Sequence, residues 1–306
     1  IRADGLLYPT SWLEIIFNPS FPYRFAHMIT AAYLTTAFAV AGVAAYYLYK
    51  NVHIQHARIM FGMAMLMAIF VSPLQLFIGD AHGLNTLEYQ PRKIAAIEGT
   101  WDTEKGAGLR LFAIPDQQNQ TNNYEIIIPK LASLILTHSF DGEIKGLKEW
   151  KPEDQPPVIA VFWSFRVMVA LGFAMIITGI FALFLYYRKR LFDTRWFQFW
   201  CIVMSPSGFI ALLAGWFVTE IGRQPYTVYE VLRTSESISP VIGPQIAITL
   251  LAFVIVYSSI FGTACYYIIK LIKKGPKIGD EKEEFYDHSM LPVQVIKELP
   301  LKTERG

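Results

Sequence analysis

Four side chains that could carry chemistry lie within, or at the rim of, long apolar stretches of the sequence: His27, Arg166, Met168 and Glu220. A polar side chain costs free energy in a helix that crosses a bilayer, so each polar member of this set needs a compensating partner. The three helices that carry them place all four side chains toward the same side of the membrane. A shared cofactor layer would explain this common depth.

An imidazole nitrogen and a thioether sulfur are suited to the two axial positions of a heme iron, where they give a six-coordinate, electron-transferring centre. His27 and Met168 could supply these two ligands. Arg166 lies two residues before Met168, and a guanidinium there could neutralise a heme propionate in a medium of low dielectric constant.

Each of these residues also has a simpler structural explanation. A single histidine at a helix end commonly packs through hydrogen bonds, and a methionine in an apolar helix commonly fills the core. Glu220 and Arg223 can form an interfacial ion pair. The residues alone therefore leave a heme or proton site and ordinary packing both open.

The composition favours a membrane protein. Hydrophobic residues make up 53% of the 306 residues, aromatic residues 15% and charged residues only 17%, which is more apolar than an ordinary soluble domain of this length. The formal net charge of +2 is too small to favour nucleic acid or another strongly anionic partner.

Five apolar stretches are long enough to cross a hydrocarbon core at about 1.5 Å per residue. They cover 25–49, 59–78, 158–187, 196–221 and 245–272. The stretch 79–157 between the second and third contains 12 acidic and 8 basic residues, which predicts a loop domain outside the bilayer. We therefore expect an all-α, polytopic membrane helix bundle with one extracytoplasmic loop domain, and Pro206 predicts a kink in the fourth helix.

Lysine and arginine mark the helix ends that are expected to face the cytoplasm. They collect at three places: Lys50 and Arg58; Arg188, Lys189, Arg190 and Arg195; and Lys270, Lys273, Lys274 and Lys277. Simple alternation then places 79–157, 222–244 and the N-terminal end of the first helix on the outer side. The candidate cofactor residues consequently belong to the outer half of the bundle.

Four motifs occur in the order in which one known family carries them. They are Asn18-Pro19-Ser20-Phe21-Pro22-Tyr23-Arg24 followed by His27; Gln90-Pro91-Arg92-Lys93-Ile94-Ala95-Ala96-Ile97-Glu98-Gly99; Phe165-Arg166-Val167-Met168-Val169; and Gly215-Trp216 with Glu220 and Gly222-Arg223-Gln224-Pro225. From about Thr10 to Lys274, the sequence resembles subunit I of the cytochrome bd quinol oxidases, of the type with a short Q-loop.

The resemblance implies a role for each residue that matches a motif. His27 and Met168 would ligate a low-spin heme b, called b558, with Arg166 beside it. Glu220 would be the protein ligand of, or the acid beside, one of two high-spin hemes, which are heme b595 and either heme d or a further heme b.

In the same comparison, Trp216 would lie between hemes and Arg223 would meet a propionate. Lys93 and Glu98 would serve quinol oxidation, where Glu98 could accept a proton and Lys93 could polarise a quinol oxygen. A solvated charge pair on a loop is the simpler explanation of these last two residues.

The sequence departs from the family at two points. The family has about nine membrane helices in this subunit, and the five found here correspond to the last five. We therefore expect the histidine that ligates the other high-spin heme, and the acidic residues of the proton path, to belong to helices that this sequence lacks. In addition, Tyr226 stands where the family usually has tryptophan.

The resemblance divides the chain into an N-terminal segment with helices one and two (1–78), an extracytoplasmic quinol-binding loop (79–157), helices three to five (158–277) and a cytoplasmic tail (278–306). It implies a multi-pass protein of the bacterial or archaeal cytoplasmic (inner) membrane. The implied partners are subunit II of the oxidase, a small single-helix subunit in some members, ubiquinol or menaquinol, oxygen and membrane lipid.

The expected function is that of a heme-bearing quinol oxidase subunit, which oxidises quinol at the outer face and reduces oxygen to water. Two alternatives stay open: a truncated cytochrome b that only relays electrons, and a membrane transporter without heme. The lack of paired discontinuous helices and of repeat symmetry speaks against the transporter.

Overall fold

The computed structural model describes residues 11–238 and 241–276, so Lys277 and the tail 278–306 lie outside the described residues. The helices in this part of the chain are α1 (Trp12–Ile16), α2 (Phe21–Lys50), α3 (Ile54–Tyr89), α4 (Pro91–Glu98), α5 (Leu131–Thr137), α6 (Val158–Tyr187), α7 (Arg195–Val203), α8 (Ser207–Ile221) and α9 (Gly243–Lys274). The strands are β1 (Glu104–Lys105), β2 (Leu109–Asp116), β3 (Thr121–Ile128), β4 (Glu143–Ile144), β5 (Tyr226–Val228) and β6 (Leu232–Arg233).

The number of membrane helices agrees with the sequence prediction. Within the described residues, five helical spans are long and apolar enough to cross a bilayer: α2, α3, α6, the α7–α8 pair and α9. Large apolar side chains cover the outside of these helices, as expected where lipid rather than water is the solvent. The predicted kink is an interruption, because α7 ends at Val203 and α8 begins at Ser207, after Pro206.

The second helix is longer than predicted. Polar residues such as Asp80 and His82 end the apolar run at residue 78, but α3 continues to Tyr89. Helical hydrogen bonds depend on the backbone and not on apolar side chains, so the helix persists until Pro91, which has no N–H and disfavours helical geometry at Gln90. The segment 79–89, assigned to the loop from the sequence, is therefore helical.

Small residues allow close approach between the long helices. Helix α2 packs against α3, α7 and α8, while α6 packs against α3 and α8. A Cβ on Gly208 of α8 would overlap the Cα of Thr35 on α2, and one on Gly179 of α6 would lie 3.1 Å from the carbonyl oxygen of Ala68 on α3. A core that includes Leu34, Phe38, Ala68, Met175 and Met204 fills the space between these helices.

The loop between α3 and α6 has its own hydrophobic core. Strands β1 and β4, and β2 and β3, form two antiparallel pairs. The apolar residues of α4 pack beneath them with Trp101, Val158 and Val161, and also with Val218 of α8. This core joins the loop to the outer ends of α6 and α8.

The connection after α8 contains the short antiparallel pair β5–β6. By packing, the described residues divide into two units, one up to Ile260 and the other from Phe261 onward. The described part of the second unit is the C-terminal part of α9 and the residues up to 276, and α9 has no buried residue.

Candidate functional site

The short helix α4 carries Lys93 and Glu98, and local sequence sets both of its ends. Pro91 occupies the first turn, where a missing N–H is harmless. Gly99 follows Glu98 with a left-handed φ of 65°, a conformation that glycine adopts without a Cβ clash. A Cβ there would also lie 3.1 Å from the ring of Phe162, so Gly99 lets α4 end against α6.

Lys93 is buried at the C-terminal end of α8. It is 4% exposed, and its Nζ donates to the carbonyl oxygen of Thr219 at 3.3 Å. Burial, with repulsion from Arg24 and Arg223, lowers the pKa of Lys93 from 10.5 to about 7, although Glu220 opposes this shift. Lys93 can therefore gain or lose a proton near neutral pH.

Glu98 is buried at the opposite end of α4. It is 5% exposed, and its Oε2 lies 3.6 Å from Nη2 of Arg166, with no hydrogen-bond partner among the described residues. Burial raises the pKa of Glu98, while the positive charges of Arg166 and Arg110 act against the rise. Because Lys93 and Glu98 are buried on a helix with different partners, their explanation as a solvated charge pair is wrong.

Arg166 joins α6 to the loop. Its Nε and Nη2 donate to the carbonyl oxygen of Arg110 at 3.1 and 2.7 Å, and its Nη1 donates to the carbonyl oxygen of Ile97. The guanidinium carbon lies 3.8 Å from the ring centroid of Phe162. In this structure Arg166 therefore neutralises Glu98 and fixes the loop backbone, and its predicted contact with a propionate stays a prediction.

His27 is half-buried near the outer end of α2 and faces α3. The amide nitrogen of Gln75 lies 3.3 Å from its Nδ1 and 3.2 Å from its Nε2, and the ring of His82 lies 5.4 Å away between centroids. A neutral imidazole has only one acceptor nitrogen, so the Gln75 amide can donate to only one of these two atoms. A Cβ on Gly79 would approach the His27 ring to 3.3 Å, so glycine at this position lets the ring pack closely against α3.

Met168 lies on α6 and faces α8. A Cβ on Gly215 would come within 2.9 Å of its sulfur, so glycine is required there for the thioether to occupy its position. Because His27 contacts α3 and Met168 contacts α8, the sharing of one iron by these two side chains stays a prediction.

Glu220 and Arg223 form the ion pair that the sequence suggested. Both are only partly buried, and the neighbouring Trp216 is exposed. The charges of Lys93 and Arg24 lie close enough to this pair to act on one another. Three segments, the start of α2, α4 and the end of α8, thus bring their charges to one place.

Sequence reasoning missed three residues of this region. Arg24 lies three positions before His27 and hence on the same helix face, a signal that was available. Gln75 and His82 could have been found only by extending the second helix, since seven residues bring both to one side of α3.

The side chains present fit heme. An imidazole and a thioether are suitable ligands for a heme iron. The Nε of Arg223 is buried without a hydrogen-bond partner among the described residues, so it offers a donor for a propionate. The described residues contain no group of three or more His, Cys, Asp or Glu that could hold a metal ion without such a macrocycle.

The chain is similar to proteins of one family throughout most of its length. The sequence model described as "Cytochrome bd terminal oxidase subunit I" matches residues 1–276. Over 272 residues the chain is 34% identical to a cytochrome bd ubiquinol oxidase subunit 1 of Bacillus subtilis, which covers 85% of this chain and 58% of that protein. Over 333 residues it is 26% identical to a cytochrome bd-II ubiquinol oxidase subunit 1 of Escherichia coli, covering 87% and 65%.

The fold is similar to that of the bd oxidase from Geobacillus thermodenitrificans. The TM-score is 0.80 at 25% sequence identity, and the match covers 90% of this chain and 63% of the other. The chain thus spans about three fifths of the length of these relatives. Since the family model covers the whole described part of the sequence, the chain belongs to the cytochrome bd terminal oxidase subunit I family.

Proposed function

We propose that this protein is the heme-bearing subunit of a membrane quinol:oxygen oxidoreductase and that it oxidises quinol at the outer face of the cytoplasmic membrane of a bacterium or archaeon. The observation that carries the proposal is the burial of Lys93 and Glu98 on one short helix beside the candidate cofactor residues. The pKa of the Lys93 ammonium group is lowered and that of the Glu98 carboxylate is raised. Such a pair of groups suits a substrate that gives up protons on oxidation.

Glu98 would take a proton from the quinol hydroxyl. Burial raises the pKa of Glu98, and the charges of Arg166 and Arg110 only partly oppose this rise, so its carboxylate is a better proton acceptor than an exposed one. Lys93 would donate a hydrogen bond to a quinol oxygen and so orient the ring. Its stem is fixed against Gly222, where a Cβ would lie 3.0 Å from its Cγ.

His27 and Met168 would hold low-spin heme b558, with Arg166 nearby. Glu220, Trp216 and Arg223 would border the high-spin hemes, heme b595 and either heme d or a further heme b. When bound, these groups would supply the redox-active iron that accepts the electrons of quinol and reduces oxygen. The polypeptide would position them and exclude water with the apolar ends of α2, α6 and α8.

The protein would act with partners, as its relatives' names as oxidase subunits suggest. Subunit II and a small single-helix subunit would complete the complex, ubiquinol or menaquinol would be the reductant, and residues 79–157 would face outward. The helices of the family that are not represented in this sequence would contribute the remaining high-spin ligand and the cytoplasmic proton path.

Difference spectra of the purified complex, reduced with dithionite and oxidised in air, test this proposal. A quinol oxidase shows low-spin b bands together with a high-spin band that moves on addition of carbon monoxide. A relay cytochrome b shows the low-spin bands alone, and a transporter shows neither. Either of the last two results would contradict the proposed oxidase.

A further inference from the structure

Arg92, the neighbour of Lys93 on α4, is a buried cation with no part in the proposed chemistry. It is 7% exposed, its Nη1 donates to the hydroxyl of Tyr226 at 3.2 Å, and its Nη2 pairs with Glu230. Its guanidinium carbon lies 5.2 Å from the ring centroid of Tyr226 and 5.7 Å from that of Trp150. Aromatic rings at these distances stabilise a desolvated guanidinium.

Tyr226 connects Arg92 to a second charge network. Its hydroxyl accepts from Arg92 and donates to Oδ1 of Asp154 at 2.8 Å, and Asp154 in turn pairs with Arg233. Three segments distant in sequence therefore meet at one oxygen atom: α4, the residues before α6, and the β5–β6 pair.

The identity of residue 226 determines whether this network can exist. A phenol hydroxyl both donates and accepts hydrogen bonds, whereas an indole only donates and has no acceptor for a guanidinium. The tyrosine hydroxyl therefore supplies an acceptor, which an indole could not, at the place where the Arg92 guanidinium donates. Arg92 and Tyr226 form a matched pair in this chain.

Arg92 and Lys93, the two neighbouring cations of α4, both contact the segment that runs from the end of α8 into β5. Lys93 reaches back to Thr219 and Gly222 at the end of α8, while Arg92 reaches forward to Tyr226, four residues after Gly222. A shift of α4 that broke the Arg92 contacts would also move Lys93, because the two residues are adjacent on a helix of eight residues.

We propose that Arg92 and Tyr226 form a positioning clamp that holds α4 in the place where Lys93 meets quinol. The clamp rests on the proposed function of Lys93. Arg92 itself touches no reacting atom, and its effect on turnover passes through the position of its neighbour.

The test compares the purified oxidase complex carrying Tyr226→Phe with the parent, using a soluble quinol as the substrate. Tyr226→Phe keeps the ring that packs on Arg92 and removes only the hydroxyl. We expect KM for quinol to rise about three- to tenfold, which corresponds to the net contribution of one ordinary hydrogen bond. The kcat and the heme spectrum should change little, since the reacting groups remain.

A pH profile separates positioning from general loosening of the fold. If α4 loosens around Lys93, that side chain becomes better solvated, so the alkaline limb of quinol turnover should move upward by about one pH unit. Tyr226→Trp should behave like Tyr226→Phe, since neither offers an acceptor. Arg92→Met combined with Tyr226→Phe should raise KM by less than the product of the two single effects, because both variants break the Arg92–Tyr226 hydrogen bond.

Two comparison variants identify which idea fails. Lys148→Met breaks the exposed loop ion pair with Asp102 and should leave KM and the pH profile unchanged; equal effects in this control and in Tyr226→Phe would overturn the clamp. If Lys93→Met alters quinol kinetics while Tyr226→Phe does not, the clamp is wrong and the proposed quinol site stands. If Lys93→Met has no effect on quinol kinetics, both the proposed quinol site and the clamp are wrong.

Discussion

At the scale of single residues, burial moves the two ionisable side chains of α4 in opposite directions. It lowers the pKa of Lys93 to about 7 and raises that of Glu98. Both groups are thereby brought toward the pH at which the protein works, and proton transfer is most effective when the pKa of the catalytic group is near that pH. The cause in each case is the cost of a charge in a medium of low dielectric constant.

Quinol turnover should therefore have a bell-shaped pH dependence. Glu98 must be ionised to accept a proton, so activity rises with pH through its raised pKa, and Lys93 must be protonated to donate, so activity falls as pH rises through about 7. Glu98→Gln should remove the acid limb and slow quinol turnover at least about a hundredfold, while dithionite still reduces the hemes. Steady-state rates at pH 5–9 measure both effects, and an unchanged profile in Glu98→Gln would exclude Glu98 from proton transfer.

Lys93 should also destabilise the folded protein in a pH-dependent way. Its pKa is lower in the folded state than the ordinary 10.5, so folding is penalised fully below about pH 7 and the penalty fades as pH approaches 10.5. Lys93→Met should raise the thermal stability of the purified protein most at pH 6–7 and hardly at all near pH 10. A gain that is the same at every pH would show that the pKa of Lys93 does not change on folding.

Met168→Leu should remove the thioether that we propose as a heme ligand, while it keeps volume and apolarity. We expect the low-spin heme to become five-coordinate and quinol oxidation to collapse, with folding nearly intact, because a Met-to-Leu exchange in a core costs less than about 1.5 kcal/mol. The matched control is Met175→Leu, two turns further along α6 and buried in the helix core. Identical reduced spectra in the two variants would rule out Met168 as a ligand.

At the scale of helices and strands, the site depends on elements that approach closely and end abruptly. Gly99 and Pro91 limit α4 to eight residues, which places Lys93 near α8 and Glu98 near α6. Glycines 208 and 179 bring α8 and α6 against α2 and α3. The candidate ligands sit at the outer ends of these same helices, so their spacing follows from the crossings.

Gly208→Ala should weaken the crossing of α2 and α8. The added Cβ would overlap the Cα of Thr35, and backbone cannot move aside as a flexible side chain can. We expect a loss of about 1–3 kcal/mol of stability, measured by thermal unfolding in detergent. Gly172→Ala on α6, where a Cβ meets nothing within 4 Å, is the control and should be neutral or slightly stabilising; equal losses at both sites would contradict the packing explanation.

At the scale of the whole molecule, five apolar spans and a loop with its own core make a multi-pass membrane protein of the cytochrome bd subunit I family. The positive residues at three connections then predict which side each loop faces. The exposed fraction of Tyr124, at 81% on β3, makes it a suitable marker for the outer side. Arg190, exposed between α6 and α7, marks the other side.

Cysteine labelling tests this orientation in intact cells. With Cys201 and Cys265 replaced by alanine, Tyr124→Cys should react with a membrane-impermeant maleimide, and Arg190→Cys should react only after the cells are opened. The charged reagent cannot cross the bilayer, so each cysteine reports the side on which it lies. The reverse pattern would place residues 79–157 in the cytoplasm and refute quinol oxidation at the outer face.

The sequence by itself determined the five membrane spans, the family and the candidate residues. Bilayer thickness sets the length and apolar composition of a spanning helix, so these properties are readable locally. The C-terminal end of α3 could not be read from the sequence in this way, because polar side chains after residue 78 end the apolar pattern without breaking the backbone hydrogen bonds.

Only the tertiary structure decided the partners of the charged residues. Arg166 pairs with Glu98 across 68 positions, and Arg92 meets Tyr226 across 134. No local pattern encodes such pairs, because they arise when separate helices pack and exclude water. Burial then determines which charges need partners, because a charge is costly in a medium of low dielectric constant. For the same reason it lowers the pKa of Lys93 to about 7 and raises that of Glu98.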